Sequence, residues 1–122
     1  MTLFSRSRLL FGAGFLALSI AFGCAVEDAQ KLVKDGKYDE AIALLEKGDA
    51  KQPAVAKALI GAHMAKADFF MTNDSVAPRL KYTTALREYR KVLTYDKANK
   101  KATDNIKVIE DIYKSMGRPV PQ

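Results

Sequence analysis

Apolar residues recur at intervals of three and four from Ala25 to Gly117, and no alternation of apolar and polar residues of any length occurs there. This period matches one face of an α-helix, whereas a half-buried strand would need a period of two. The period of the apolar residues therefore predicts an all-α fold. Four polar or helix-breaking segments divide the region into five predicted helices. The segments are Asp35–Lys37, Gly48–Pro53, Thr72–Pro78 and Asp96–Asn99.

The third predicted helix, from Ala54 to Met71, is apolar on more than one face. A helix with so much apolar surface is usually buried between neighbours. We therefore expect this helix to be sandwiched by others.

Two glycines carry helix-stop signals. Gly36 follows the first helix and can adopt the left-handed conformation that closes a helix, and Gly117 ends the last helix with Pro119 and Pro121 beyond it. These positions predict a helical domain over residues 24–117 and a proline-containing tail over residues 118–122.

The first 23 residues differ in composition from the rest, because they contain none of the chain's fourteen acidic residues. Arg6 and Arg8 give a positive start, and Leu9 to Gly23 is an apolar run that ends in small residues. Signal peptides have apolar segments of about 7 to 15 residues, whereas a membrane-spanning helix needs roughly 20. Residues 1–23 are therefore predicted to be a cleaved signal peptide, with an uncleaved membrane anchor as the alternative.

The only cysteine, Cys24, directly follows this run in the tetrapeptide Ala21-Phe22-Gly23-Cys24. Gly23-Cys24 resembles the lipobox of bacterial lipoproteins, which implies acylation of Cys24 and a tether on the periplasmic side of a bacterial membrane. The alternative is plain cleavage, which would leave a soluble periplasmic or secreted protein with a free thiol. A single cysteine excludes an intramolecular disulfide.

Two segments share one pattern. Lys37 to Ile42 and Lys81 to Leu86 both read Lys-Tyr-x-x-Ala-aliphatic at the start of a helix. The pattern resembles the tetratricopeptide repeat (TPR), a helical hairpin of 34 residues. The resemblance implies about two antiparallel helical hairpins and a C-terminal capping helix over residues 100–117. It also implies repeat-packing positions at Tyr38, Ala41, Leu45, Pro53, Gly61, Tyr82, Ala85 and Tyr89.

In TPR proteins the first helix of each hairpin lines a groove that binds a peptide. By register with Ala41, the resemblance implies a partner-binding groove that includes Val26, Gln30, Lys34, Ala58, Ala62, Lys66, Asp104 and Val108. Its small alanines would leave room for a side chain or helix of another envelope protein. The alternative is that the alanines only allow close helix packing.

A basic face is predicted on the fourth helix, where Arg87, Arg90 and Lys91 lie at helical spacing, with Lys101 following. It is either a solvated face with Glu88 nearby or a contact for anionic lipid or cell-wall polymer. Nucleic acid is not expected, because the two signs of charge are mixed along the chain and export would separate the protein from nucleic acid.

Catalytic and metal-binding patterns are missing from the sequence. His63 is the only histidine, and neither a nucleophile motif nor a phosphate-binding glycine loop is present. One histidine and one cysteine cannot complete a closed zinc site without several carboxylates. We therefore predict a non-enzymatic protein without metal or cofactor, in which His63 packs between helices or contacts a ligand.

Taken together, these patterns predict an exported, lipid-anchored TPR adaptor that binds another protein in the bacterial cell envelope. The alternative function is an envelope module that binds anionic lipid or cell-wall polymer through the basic helix face.

Overall fold

The computed structural model describes the backbone of residues 14–122 and the side chains of residues 23–122. Arg6, Arg8 and the start of the predicted signal peptide lie outside the described residues. Five helices make up the described chain: α1 (Gly14–Lys34), α2 (Tyr38–Glu46), α3 (Pro53–Thr72), α4 (Pro78–Tyr95) and α5 (Lys100–Ser115). Residues 14–122 contain no strand, so the all-α prediction is confirmed. Within the same range, none of the helices combines the length and apolar character that crossing a membrane requires.

Each helix packs against the next one in the chain, and α1 also packs against α3. The helix α3 therefore contacts α1, α2 and α4, as its apolar residues on several faces predicted.

The buried apolar residues form two clusters that share α3. The α1–α3 core contains Ala29, Ala41, Ile42, Leu45, Val55, Leu59 and Ala62. The α3–α5 core contains Ala67, Ala85, Leu86, Tyr89, Val92, Ala102, Ile109 and Tyr113. The alanines of the two similar segments, Ala41 and Ala85, are both fully buried, one in each core.

Glycines close the first and last helices as predicted. Gly36 has a φ of 76° and Gly117 a φ of 64°, both in the left-handed region. After α1, the Lys37 N–H donates to the Leu32 carbonyl at 2.8 Å and the Gly36 N–H donates to the Val33 carbonyl at 3.0 Å. This pair of bonds is a Schellman motif, which satisfies the last carbonyls of a helix, and the same pair recurs around Gly117.

Two prolines mark helix starts. Pro53 and Pro78 occupy the first turns of α3 and α4, where the missing N–H costs no helical hydrogen bond. The last helix begins with a side-chain cap instead, because the Asn99 Oδ1 accepts from the Ala102 N–H at 3.0 Å.

The tail after α5 folds back onto the domain. Val120 packs against the α3–α5 core, and the Arg90 Nη1 donates to the Pro121 carbonyl at 2.8 Å. The tail is therefore part of the folded domain.

Candidate functional site

A groove of about 550 Å³ opens between α1 and α3, and we call it the α1–α3 groove. Its lining includes five of the predicted groove residues: Val26, Gln30, Lys34, Ala58 and Ala62. The other lining residues are Ala29, Val33, Leu45, Ala54, Lys57 and Gly61. The structure thus brings together predicted positions on α1 and α3, although the nearest two, Lys34 and Ala58, are more than twenty residues apart in the sequence.

The chemistry of the α1–α3 groove is apolar with a cationic component. Most lining side chains are small or aliphatic, and Lys34 and Lys57 are exposed. None of the lining residues is acidic, and neither lysine forms an ion pair with a described carboxylate. Such a groove can accept apolar side chains and attract negative charge beside them.

Gly61 corrects one repeat-packing prediction. It was expected to be a small residue at a helix crossing, but it is exposed and lines the groove. A Cβ atom at this position would meet nothing within 4 Å. The absence of a side chain at Gly61 therefore widens the groove and does not allow close packing.

Lys66 does not line the α1–α3 groove, so its predicted placement is wrong. Its side chain is buried, and its ammonium lies 2.6 Å from the Asp39 Oδ1 and 3.1 Å from the Glu88 Oε1. Two carboxylates on α2 and α4 therefore hold Lys66 away from the groove.

The last two predicted groove residues lie on α5. Asp104 forms an exposed ion pair with Lys100, and Val108 is largely exposed. Neither lines the α1–α3 groove, because α5 packs against α4 and the groove is built by α1, α2 and α3.

The remaining repeat-packing residues differ in how far they are exposed to solvent. Ala41, Leu45, Ala85 and Tyr89 are buried, Tyr38 and Tyr82 are half-buried, and Pro53 is exposed at the start of α3. The Tyr38 ring lies 5.7 Å from the Phe69 ring, centroid to centroid. The Tyr89 hydroxyl donates to the Asp68 Oδ1 at 2.7 Å, and burial with this bond raises the Tyr89 pKa.

The four residues of the predicted basic face lie in two different surroundings. Arg87, Arg90 and Lys91 line a cavity on α4, whereas Lys101 pairs with Asp68 of α3. Glu88, expected beside the solvated face, is buried instead. It lies on the side of α4 that packs against α3, where Ala85, Tyr89 and Val92 are also buried.

Glu88 belongs to a buried polar cluster that the sequence did not predict. The His63 Nδ1 lies 2.7 Å from the Glu88 Oε2, and the Lys66 ammonium contacts the Glu88 Oε1. Burial acts to raise the Glu88 pKa, but the bonds to His63 and Lys66 outweigh it and lower the pKa to about 2. The carboxylate is therefore ionised at neutral pH and accepts from the Nδ1–H of His63.

The same balance holds for Lys66. Burial acts to lower its pKa, but hydrogen bonds to Asp39 and Glu88 raise it above the usual value. Both groups of this ion pair are therefore charged at neutral pH.

His63 packs between helices, which is one of the two roles predicted for it. It is buried on α3, its ring stacks with Tyr95 at a centroid distance of 6.0 Å, and its Nε2 is buried without a hydrogen-bond partner among described atoms. None of the described cavities is lined by His63. The signal that could have indicated the cluster is the spacing of His63 and Lys66, which share one face of α3.

Residues 14–122 hold no group of three or more His, Cys, Asp or Glu side chains placed to bind a metal ion. The α1–α3 groove is therefore the candidate site that joins an apolar surface with residues singled out from the sequence. Comparison with known proteins adds no relative, since no family model, curated protein or solved structure matches this chain.

Proposed function

We propose that this chain is an exported, lipid-anchored TPR-like adaptor that binds a segment of another bacterial envelope protein in the α1–α3 groove. The observation that carries the proposal is the convergence of Val26, Gln30, Lys34, Ala58 and Ala62 on one groove. These five are among the eight positions that the TPR resemblance implied, and the groove they line is open at Gly61.

The TPR-like part of the proposal is supported by the burial of equivalent residues. Ala41 and Ala85 are each fully buried in a separate core, and the half-buried Tyr38 and Tyr82 precede them by the same interval. The contact of α1 with α3 is also what stacked hairpins require, because each hairpin has an apolar face that it cannot bury alone.

The groove favours a partner of defined chemistry. Its alanines and Gly61 leave room for small or medium apolar side chains, which an amphipathic helix presents along one face. Lys34 and Lys57 favour acidic residues beside that face. The proposed partner segment is therefore an amphipathic helix with acidic flanks.

The tether is supported by the position of Cys24. Its side chain is exposed, and the first residue that packs into a described core is Val26. Cleavage before Cys24 would therefore remove none of the described core residues and would leave the groove close to the membrane.

Replacement of Gly61 by leucine tests the groove. The new side chain enters open space and should leave the fold intact, but it occupies the volume that the partner needs. Overpacking of this kind costs about 1 to 3 kcal/mol, which lowers affinity by a factor of roughly 5 to 150. The measurement is quantitative mass spectrometry of proteins cross-linked to the chain in bacterial envelopes.

The matched control is Ala43→Leu, which adds a similar side chain at an exposed position of α2 outside the groove. Lys57→Glu should also reduce capture, whereas Lys51→Glu, an exposed lysine that does not line the groove, should not. If the same proteins are captured equally by Gly61→Leu and Ala43→Leu, the groove is not the binding site.

A further inference from the structure

The C-terminal tail and α4 together form a second cavity, which we call the tail pocket. It has a volume of about 340 Å³ and is lined on α4 by Thr83, Leu86, Arg87, Arg90, Lys91 and Thr94. The wall opposite α4 comes from Pro121 and Gln122 of the tail. The bond from Arg90 to the Pro121 carbonyl and the packing of Val120 on the core hold that wall in place.

The side chains that line the tail pocket are basic or neutral. Three of its lining residues are basic and none is acidic. A neighbouring cavity that shares Thr83 and Pro121 with the tail pocket adds Arg79 and Arg118, again without an acidic lining residue. Cations that converge on a concave surface raise the local concentration of anions.

The two guanidinium groups are oriented before any ligand binds. Arg87 donates from Nε and Nη2 to the Glu88 Oε1 at 3.2 Å, and Arg90 donates from Nη1 to Pro121. A guanidinium has five N–H donors, so each arginine keeps further donors for a ligand. Glu88 pairs with Arg87 and is also shared with His63 and Lys66, so it offsets only part of the positive charge of the three basic lining residues.

The threonines add neutral hydrogen-bond acceptors to the pocket. The hydroxyl of Thr83 donates to the Arg79 carbonyl, and the hydroxyl of Thr94 donates to the Lys91 carbonyl at 2.7 Å. With their protons used in this way, both oxygens are left as acceptors. Both hydroxyls already have a partner within α4, so the threonines offer acceptors without requiring a ligand. A ligand that uses every polar group of the pocket carries an anionic group for the arginines and hydroxyl groups that donate to the threonine oxygens.

We propose that the tail pocket binds a phosphorylated polyol, with the phosphate on Arg87, Arg90 and Lys91 and the polyol hydroxyls on Thr83 and Thr94. The volume lies near the lower end of the range of about 300 to 1,000 Å³ for small-molecule pockets, which suits one glycerol phosphate unit. This unit can come from a lipid headgroup or from a free or polymeric glycerol phosphate. The site is separate from the α1–α3 groove and shares none of its lining residues.

Titration of the full chain with glycerol 3-phosphate, followed by NMR, tests the proposal. Saturable shifts are expected at the amides of the tail and of residues 83–94, with weaker binding of inorganic phosphate and none of glycerol. Arg90→Gln removes a charged hydrogen bond and should weaken binding about tenfold. A chain that ends at Val120 lacks the tail wall and should lose affinity to a similar degree.

Lys107→Gln is the matched control, because it removes the same charge from an exposed site on α5 outside the pocket. The affinity of this variant for glycerol 3-phosphate should stay within about twofold of that of the unchanged protein. Equal binding of inorganic phosphate and glycerol phosphate, equal effects of Arg90→Gln and Lys107→Gln, or the absence of saturation would overturn the proposal. Lys91→Gln, at an exposed position, gives a second test that does not depend on the bond to the tail.

Vesicles distinguish the two sources of the ligand. Binding to phosphatidylglycerol vesicles that glycerol 3-phosphate displaces would identify a lipid headgroup. Binding of glycerol 3-phosphate without binding to those vesicles would identify the free or polymeric form.

Discussion

At the scale of single residues, Glu88 is a buried charge on α4 that pairs with His63 and Lys66 of α3 and with Arg87 of its own helix. Its position between Ala85 and Val92 on α4 matches the buried stripe, but its residue type favours solvent. Periodicity and residue type therefore disagree at this position, and only the contacts with His63 and Lys66 resolve the disagreement. A buried carboxylate of this kind is costly to leave without its partners.

Replacement of Glu88 by glutamine should destabilise the protein by about 3 to 5 kcal/mol at neutral pH, because Lys66 would lose one of its two carboxylates in a buried position. Urea-induced unfolding measures this change. Glu40→Gln, at an exposed position, is the control and should change stability by less than about 0.5 kcal/mol. An effect of Glu88→Gln no larger than the control would contradict the buried ion pair.

The lowered pKa of Glu88 also predicts that the free energy of unfolding decreases at acid pH. Its pKa falls from 4.5 to about 2 on folding, so the folded state binds fewer protons than the unfolded state between these values. The stabilisation of about 3 kcal/mol is complete above about pH 4.5 and is lost as the pH falls toward 2. In Glu88→Gln this part of the pH dependence should be missing from the unfolding curves.

At the scale of elements, most helix boundaries follow from local signals. Gly36, Pro78, Asn99 and Gly117 act on the chain within a few residues of themselves, so their effects can be predicted without knowledge of the tertiary structure. The sandwiched position of α3 was also predictable, because a helix that is apolar on several faces must be covered on several faces.

Replacement of Gly36 by alanine should lower the free energy of unfolding by about 1 kcal/mol, since its φ of 76° is unfavourable for a residue with a Cβ atom. The cost is a backbone effect, because a Cβ there meets nothing within 4 Å. Gly61→Ala is the matched control and should stabilise by about 0.5 to 1 kcal/mol, because Gly61 lies inside a helix with space around it. Denaturant unfolding of both variants should show opposite signs, and equal signs would contradict the left-handed cap.

At the scale of the whole molecule, the described core residues begin at Val26 and end at Val120. The α1–α3 groove and the tail pocket lie on different helices, so the proposed partner and the proposed phosphorylated ligand do not compete for residues. A tether at Cys24 would leave both sites complete.

Processing at Cys24 predicts a mass change in the protein made by a bacterial host. The native protein should have lost residues 1–23 and gained acyl chains, because Cys24 is exposed and follows the predicted signal peptide. Intact-mass spectrometry of the membrane fraction measures both changes, and Cys24→Ala should abolish the added mass. Cleavage without added mass would indicate a soluble periplasmic or secreted protein, and an intact leader would indicate an anchor, and either result would contradict the lipid tether.

The all-α fold and the glycine and proline positions at helix ends could be predicted from the sequence, because periodicity, glycine and proline act over short stretches of chain. The eight groove positions came from the resemblance to the TPR, and five of them line the α1–α3 groove. The burial of Lys66 with Glu88, the opening of the groove at Gly61 and the basic pocket behind the tail are visible only once the helices are packed. These features depend on partners that lie far apart in the chain, and no local signal specifies which distant side chain will satisfy a buried charge or cover a helix face.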